Sequence, residues 1–190
     1  MSEDRPTPGA GALAGAATVF YCLMALMGVA IMAWQEIAIG AAIFGDGTRV
    51  LRDTALGAGF GLAIVFATWL ARDLDPVRRI NDELASLLGR PGSGAIAVLA
   101  VSSSVGEEIL FRGALQPLIG LWPTALLFGL LHGATQRRLR LWAAFAFVAG
   151  VLLGWLTELT GNLLAPILCH LTVNFWNLHA MVARSRPGAP

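Results

Sequence analysis

Three short stretches place ionisable or hydrogen-bonding side chains inside apolar segments. They are Ser102-Ser103-Ser104-Val105-Gly106-Glu107-Glu108-Ile109-Leu110-Phe111-Arg112, Phe128-Gly129-Leu130-Leu131-His132 and His170-Leu171-Thr172-Val173-Asn174. Glu108 and Arg112 are four residues apart, so on a helix they share a face as a glutamate followed by an arginine, the favourable order. Glu107 points about 100° away and meets Phe111 at its own i+4 position, not a cation. Pairing would hold Glu108 ionised and fixed. Glu107 would be left for burial to tune as a general base or acid. His170 and Asn174, also four apart, offer two side-chain donors from one helix face, which is what a tetrahedral oxyanion needs in a dry site. His132 is ambiguous by itself; Phe128, one turn earlier, would pack against its ring and fix its orientation.

Each feature has a plainer reading. Glu107, Glu108 and Arg112 would serve as a polar cluster locking helices together, and His132 as a satisfied residue near a span's end. His170 with Asn174 would serve as an interhelical clasp, worth on average only ~0.6 kcal/mol in membrane bundles. Two adjacent carboxylates against one arginine leave a surplus buried negative charge, which is costly as mere glue. That weighs against the first plain reading. Cys169 and His170 are not a nucleophilic pair, because neighbours on a helix diverge by about 100°.

The elements that must position these groups follow from composition. Of 190 residues, 56% are hydrophobic and 22 are glycine, while only 13% are charged, about half the roughly 25% of soluble domains. With a mean hydropathy of +0.69, the surface of a 20.0 kDa globule cannot be covered with polar groups. The chain therefore reads as one all-α, polytopic integral-membrane domain, 1–190, with the lipid bilayer as its surroundings. A net charge of +1 and no long basic run exclude nucleic acid as a partner. Cys22 and Cys169 both lie in apolar stretches and form no disulfide framework. The acidic start, Met1-Ser2-Glu3-Asp4-Arg5, ahead of a long apolar run reads as a retained first span, not a cleaved signal peptide.

Spans of about 20 residues are expected at Gly9 to Trp34, Thr54 to Ala71, Ser93 to Gln116 (stopping before Pro117), Trp122 to Gln136, Leu141 to Leu159 and Leu163 to Ala183. Between Arg72 and Arg90, apolar residues at helical spacing predict an amphipathic helix at the membrane surface. With six spans, ten arginines (5, 72, 78, 79, 90, 137, 138, 140, 184 and 186) share the side of both termini. The opposite side has only Arg49 and Arg52, so both termini are expected in the cytoplasm, of a bacterial inner membrane. Counted at ~1.5 Å per residue, Glu107 and His170 lie ~20 Å deep but His132 only ~7 Å. The groups converge only if the fourth span tilts, runs on past Arg138 or has other bounds.

Taken in order, Glu107-Glu108-xxx-Arg112, Phe128-xxx-His132 and His170-xxx-Asn174 resemble the three motifs of the CPBP family, which comprises CAAX prenyl endopeptidases and bacteriocin-processing or self-immunity proteins. The resemblance covers about residues 93–183, and no motif position is altered. It implies an intramembrane endopeptidase in which Glu107 and His132 activate water and His170 with Asn174 form the oxyanion hole, with Glu108, Arg112 and Phe128 in support. It implies a peptide or protein substrate with a membrane-associated cleavage site. No cofactor is favoured. An alternative keeps the same residues around zinc, with Glu107, His132 and His170 as ligands and Glu108 as base. The absence of a His-Glu-xx-His helix disfavours it. A third reading is a non-catalytic membrane immunity or binding protein.

Overall fold

The computed structural model describes residues 10–89, 91–133 and 135–184. Three of the orientation arginines (5, 90 and 186) and the acidic N-terminus lie outside them. Every regular element among the described residues is helical. The long apolar helices are α1 (Ala10–Trp34), α3 (Val50–Ala71) and α8 (Arg140–Thr160), with a short α2 (Ile39–Phe44) after α1. The amphipathic segment forms α4 (Asp75–Leu88). Its apolar side, Val77, Ile80, Leu84 and Leu88, is half-buried, while Leu74 and Leu87 stay exposed.

The third span is a composite. α5 (Ser93–Glu108) widens into a π segment (Ile109–Leu115) and closes as α6 (Gln116–Ile119). Pro117 was expected to end this span and does not. It falls in the first turn of α6, where a missing N–H goes unnoticed. The π segment is supported from outside its own helix. Gln35 donates to the Ala114 carbonyl at 3.0 Å and Arg112 to the Gly150 carbonyl at 3.2 Å. Such wide turns tend to occur at functional sites.

The fourth span differs from expectation at its far end. α7 (Leu121–Leu131) has only 11 residues, and His132 caps it four residues before the expected limit at Gln136. Gly133 is the cause. Its φ of +106° is open to glycine and not to ordinary residues, so the helix ends there as at a C-terminal glycine cap. A side chain at this position would also strike Leu139, 2.8 Å from a built Cβ. The mismatch in depth narrows with the shorter helix. Twelve residues at ~1.5 Å each carry His132 only about 18 Å from the start of α7, well short of a ~30 Å hydrocarbon core.

α9 (Leu164–Arg184) completes the bundle. Each of the six expected segments contains a helix, and four helices among the described residues are long and apolar enough to cross a membrane alone: 14–34, 50–71, 93–119 and 137–160. α7 is too short, and α9 carries His170, Thr172, Asn174, Asn177 and His179 along its length. His132 caps the first of these helices, and the second carries His170 and Asn174.

α9 lies against α3 from end to end. Gly57 and Gly61 allow the approach. A side chain at Gly57 would collide with the Ala165 backbone, and one at Gly61 would come within 2.9 Å of the Cys169 carbonyl. Asn162, in the turn before α9, donates to buried Asp53 of α3 at 2.6 Å. At the other end Thr68 donates to Asn177 at 3.0 Å, and Arg184 donates to Asp73 at 2.8 Å.

Candidate active site

α5 with its π segment, α7 and α9 bring the three polar stretches together at one level of the bundle. Glu108 is fully buried and Arg112 nearly so, and their side chains meet at 3.0 Å as the four-residue spacing requires. Arg112 also lies over the Phe128 ring, 4.5 Å from its centroid, so the cation is held by a carboxylate, a carbonyl and an aromatic face. Phe128 does more than orient His132. It packs tilted against that ring, centroids 4.3 Å apart, and meets His170 nearly edge-on at 6.2 Å. One buried phenyl thus touches Arg112 and both imidazoles, while Arg112 and His170 also meet at a shared atom, Glu108 Oε1.

The two histidines are each fixed through Nδ1. His132 donates Nδ1–H to the Phe128 carbonyl at 2.7 Å, since a carbonyl only accepts. His170 donates Nδ1–H to Glu108 Oε1 at 2.8 Å. Both rings therefore turn Nε2 towards the same atom, Glu107 Oε2, at 3.9 Å from His132 and 3.8 Å from His170. Glu107 Oε2 is buried and accepts no hydrogen bond from the described residues. The site is closed on most sides: Glu107 is 6% exposed and His170 8%, while the His132 side chain, at 22%, is the most open.

Asn174 does not share a target with His170. Its Nδ2 donates to Ser103 Oγ at 3.0 Å, leaving its second N–H for another acceptor. Ser103 and Trp142, whose ring lies 6.1 Å from that of His132, were not among the expected site residues. Ser103 precedes Glu107 by four residues and so shares its helix face, which is a legible signal. Trp142 comes from the start of α8 and had none.

The zinc alternative can be tested against these distances. Zn–O and Zn–N bonds of about 2.0–2.1 Å put tetrahedral ligand atoms roughly 3.3 Å apart. The two carboxylate-to-imidazole distances exceed that by about half an ångström, and no group of three ligating side chains among the described residues has metal-holding spacing. Glu108, the base in that scheme, has Oε1 committed to Arg112 and His170, while its Oε2 is buried without a hydrogen-bond partner among the described residues. As placed, the residues do not fit zinc.

Residues 91–176 match the family model for type II CAAX prenyl endopeptidase Rce1-like proteins. An uncharacterized protein of Bacillus subtilis (strain 168), YpbD, is 41% identical over 133 residues, which are 66% of this chain and 67% of that protein. No solved structure matches the chain. The matched region begins just before α5 and ends within α9, so it holds every polar group assembled above. An all-helical membrane bundle, a buried glutamate faced by two imidazoles and this match together make the chain a member of the CPBP family of CAAX protease-like intramembrane endopeptidases, through an Rce1-like core.

Proposed function

We propose that the chain hydrolyses a peptide bond of a membrane-associated or lipid-anchored substrate, with Glu107 as general base and no metal. One observation carries this reading: buried, unpartnered Glu107 Oε2 is faced by Nε2 of His132 and of His170 at 3.9 and 3.8 Å. Those distances are too long for direct hydrogen bonds and suit a shared water, the nucleophile.

Glu107 Oε2 takes a proton from that water. His132, whose proton sits on Nδ1, accepts the second water hydrogen through Nε2 and orients the attack. The new hydroxide bonds to the peptide carbonyl carbon. The oxygen that becomes negative accepts from the free N–H of Asn174 and from Nε2–H of His170. For His170 to donate there its ring carries a second proton, and Glu108 already holds the first. Glu107 then returns its proton to the departing amine as the C–N bond breaks. Glu108 and Arg112 hold His170 in place, and Phe128 keeps the ring planes apart.

Both termini belong on the cytoplasmic side in this proposal, because arginines gather there. The test is a comparison of membrane-protein termini in cells carrying the wild-type chain and Glu107→Gln at equal abundance. Loss of a defined new terminus in the variant is expected; identical termini, with the cellular phenotype intact, would instead favour a non-catalytic binding protein.

A further inference from the structure

Of the three successive serines in α5, two bond only within their own helix. Ser102 donates to Leu99 at 3.3 Å and Ser104 to Ala100 at 2.7 Å. Ser103 is different. It is 5% exposed, lies one turn before Glu107 and is the serine that reaches another helix, accepting from Asn174 Nδ2 at 3.0 Å. Its own proton points to the Ala100 carbonyl at 3.3 Å. A carbonyl cannot donate, so the hydroxyl's lone pairs are what remain for Asn174.

An asparagine amide is nearly the same shape either way round. One orientation offers N–H groups to a nearby charge and the other offers a carbonyl oxygen. In the second, Asn174 would repel a developing oxyanion instead of stabilising it. An acceptor held opposite Nδ2 selects the first. The second amide N–H then projects about 120° from the bond to Ser103, in a plane that Ser103 fixes.

We infer that Ser103 is a positioning residue for the hydrolytic reaction: it sets the amide of Asn174 so that one N–H is presented to the transition state. This rests on the proposed reading of Asn174 as an oxyanion donor. Ser103 acts through Asn174, and it lies outside all three motifs.

The experiment follows the terminus that disappears with Glu107→Gln, in a deletion strain supplied with each variant at matched membrane abundance. Ser103→Ala is expected to slow its appearance by about 10²-fold, the order of loss for a group misplaced by about 1 Å. Asn174→Ala should lose at least as much, and the double variant no more than Asn174→Ala alone, because one residue acts through the other. Ser103→Thr, which keeps the hydroxyl, should recover most of the rate; Ser103→Cys serves the same comparison if the added methyl lowers abundance. A Ser103→Ala chain at the wild-type rate, or a double variant that loses the product of both single losses, overturns the inference while leaving the general-base proposal standing. If Glu107→Gln removes no terminus, the general-base proposal falls and takes this one with it.

Discussion

Along α9, neighbours grip from end to end. Asp53 and Asn162 close one end, Gly57 and Gly61 let α3 sit directly on its backbone, and Thr68–Asn177 and Asp73–Arg184 hold the other end. His170 and Asn174 each have a side-chain partner on α5 as well. α7 is held differently. It lies on α8 through the close approaches of Gly129 to Phe147 and of Gly150 to Ala125, and Trp122, Leu126, Leu130 and Leu131 on its other side are more than half exposed. His132 is fixed by a bond to its own helix and by aromatic neighbours, and Glu107 faces it at 3.9 Å, beyond hydrogen-bond distance. The contrast separates two tasks. In the proposed reaction, the groups that must be stationary when charge develops sit on the clamped helix, and the group that meets the incoming water sits at the end of a helix held by packing alone, with no side-chain hydrogen bond to another helix among the described residues.

The most damaging way to break the clamped side is to remove its buried cation. Arg112→Ala breaks a fully buried ion pair and leaves Glu108 with His170 as its remaining side-chain partner, a loss of about 3–5 kcal/mol. Folding yield in detergent should collapse together with activity. Glu108→Gln combined with Arg112→Met should restore much of the yield and none of the activity. A double variant that folds no better than Arg112→Ala would show that the pair is not what holds this region.

A second comparison sharpens the difference between the two seams. Gly61→Val and Gly129→Val each push a helix off its neighbour, since built Cβ atoms lie 2.7 Å from Thr172 and 2.8 Å from Phe147. Overpacking of this kind costs about 1–3 kcal/mol at either place. Thermal denaturation should report a drop of that order for both. The residual cleavage rate should divide them, with Gly129→Val retaining less activity for the same lost stability because α7 has no polar tether to return His132 to Glu107. Equal rates at equal stability would remove the distinction.

The smallest effect belongs to the surface end of the clamp. Asp73, in the connector before α4, is held below the usual carboxylate range chiefly by the hydrogen bond from Arg184, and further by the charges of Arg184 and Arg72. Because the folded form binds its proton less readily than the unfolded form, its contribution is present above about pH 4 and is lost as pH falls through the lower, folded value. Asp73→Asn should therefore flatten the acid limb of a stability–pH profile slightly and leave neutral-pH activity unchanged. Exposed pairs are screened and contribute little.

Much of this was legible in the sequence. The helical segments, the amphipathic α4 and the four-residue pairing of Glu108 with Arg112 all follow from local periodicity. The end of α7 did not, because Gly133 acts through its backbone angle, and the residues after it, Thr135 and Gln136, read equally well as a continuing helix. Pro117 misled for the converse reason: a π segment shifts which N–H groups are needed, and nothing local announces it. Contacts between helices, such as Asn174 with Ser103 or Arg112 with Phe128, depend on how the bundle closes. Phe-xxx-His is itself a weak signal. Phe175 and His179 repeat it with the same tilted packing, 4.4 Å, and the same Nδ1–H bond to the earlier carbonyl, 2.8 Å. What sets His132 apart is the carboxylate opposite, which no single segment contains.

The central claim is that Glu107, and not a metal, activates the water between the two histidines. Its most direct test is single-turnover cleavage of the identified substrate by purified wild-type chain and Glu107→Gln, with melting temperature and bound zinc measured on the same samples. The expected result is a loss of at least about 10³-fold in rate, within the 10²–10⁴ range of a general base, at an unchanged melting temperature and without zinc in the wild type. Activity within tenfold of wild type, or stoichiometric zinc in the wild type that disappears in His170→Ala, would contradict it.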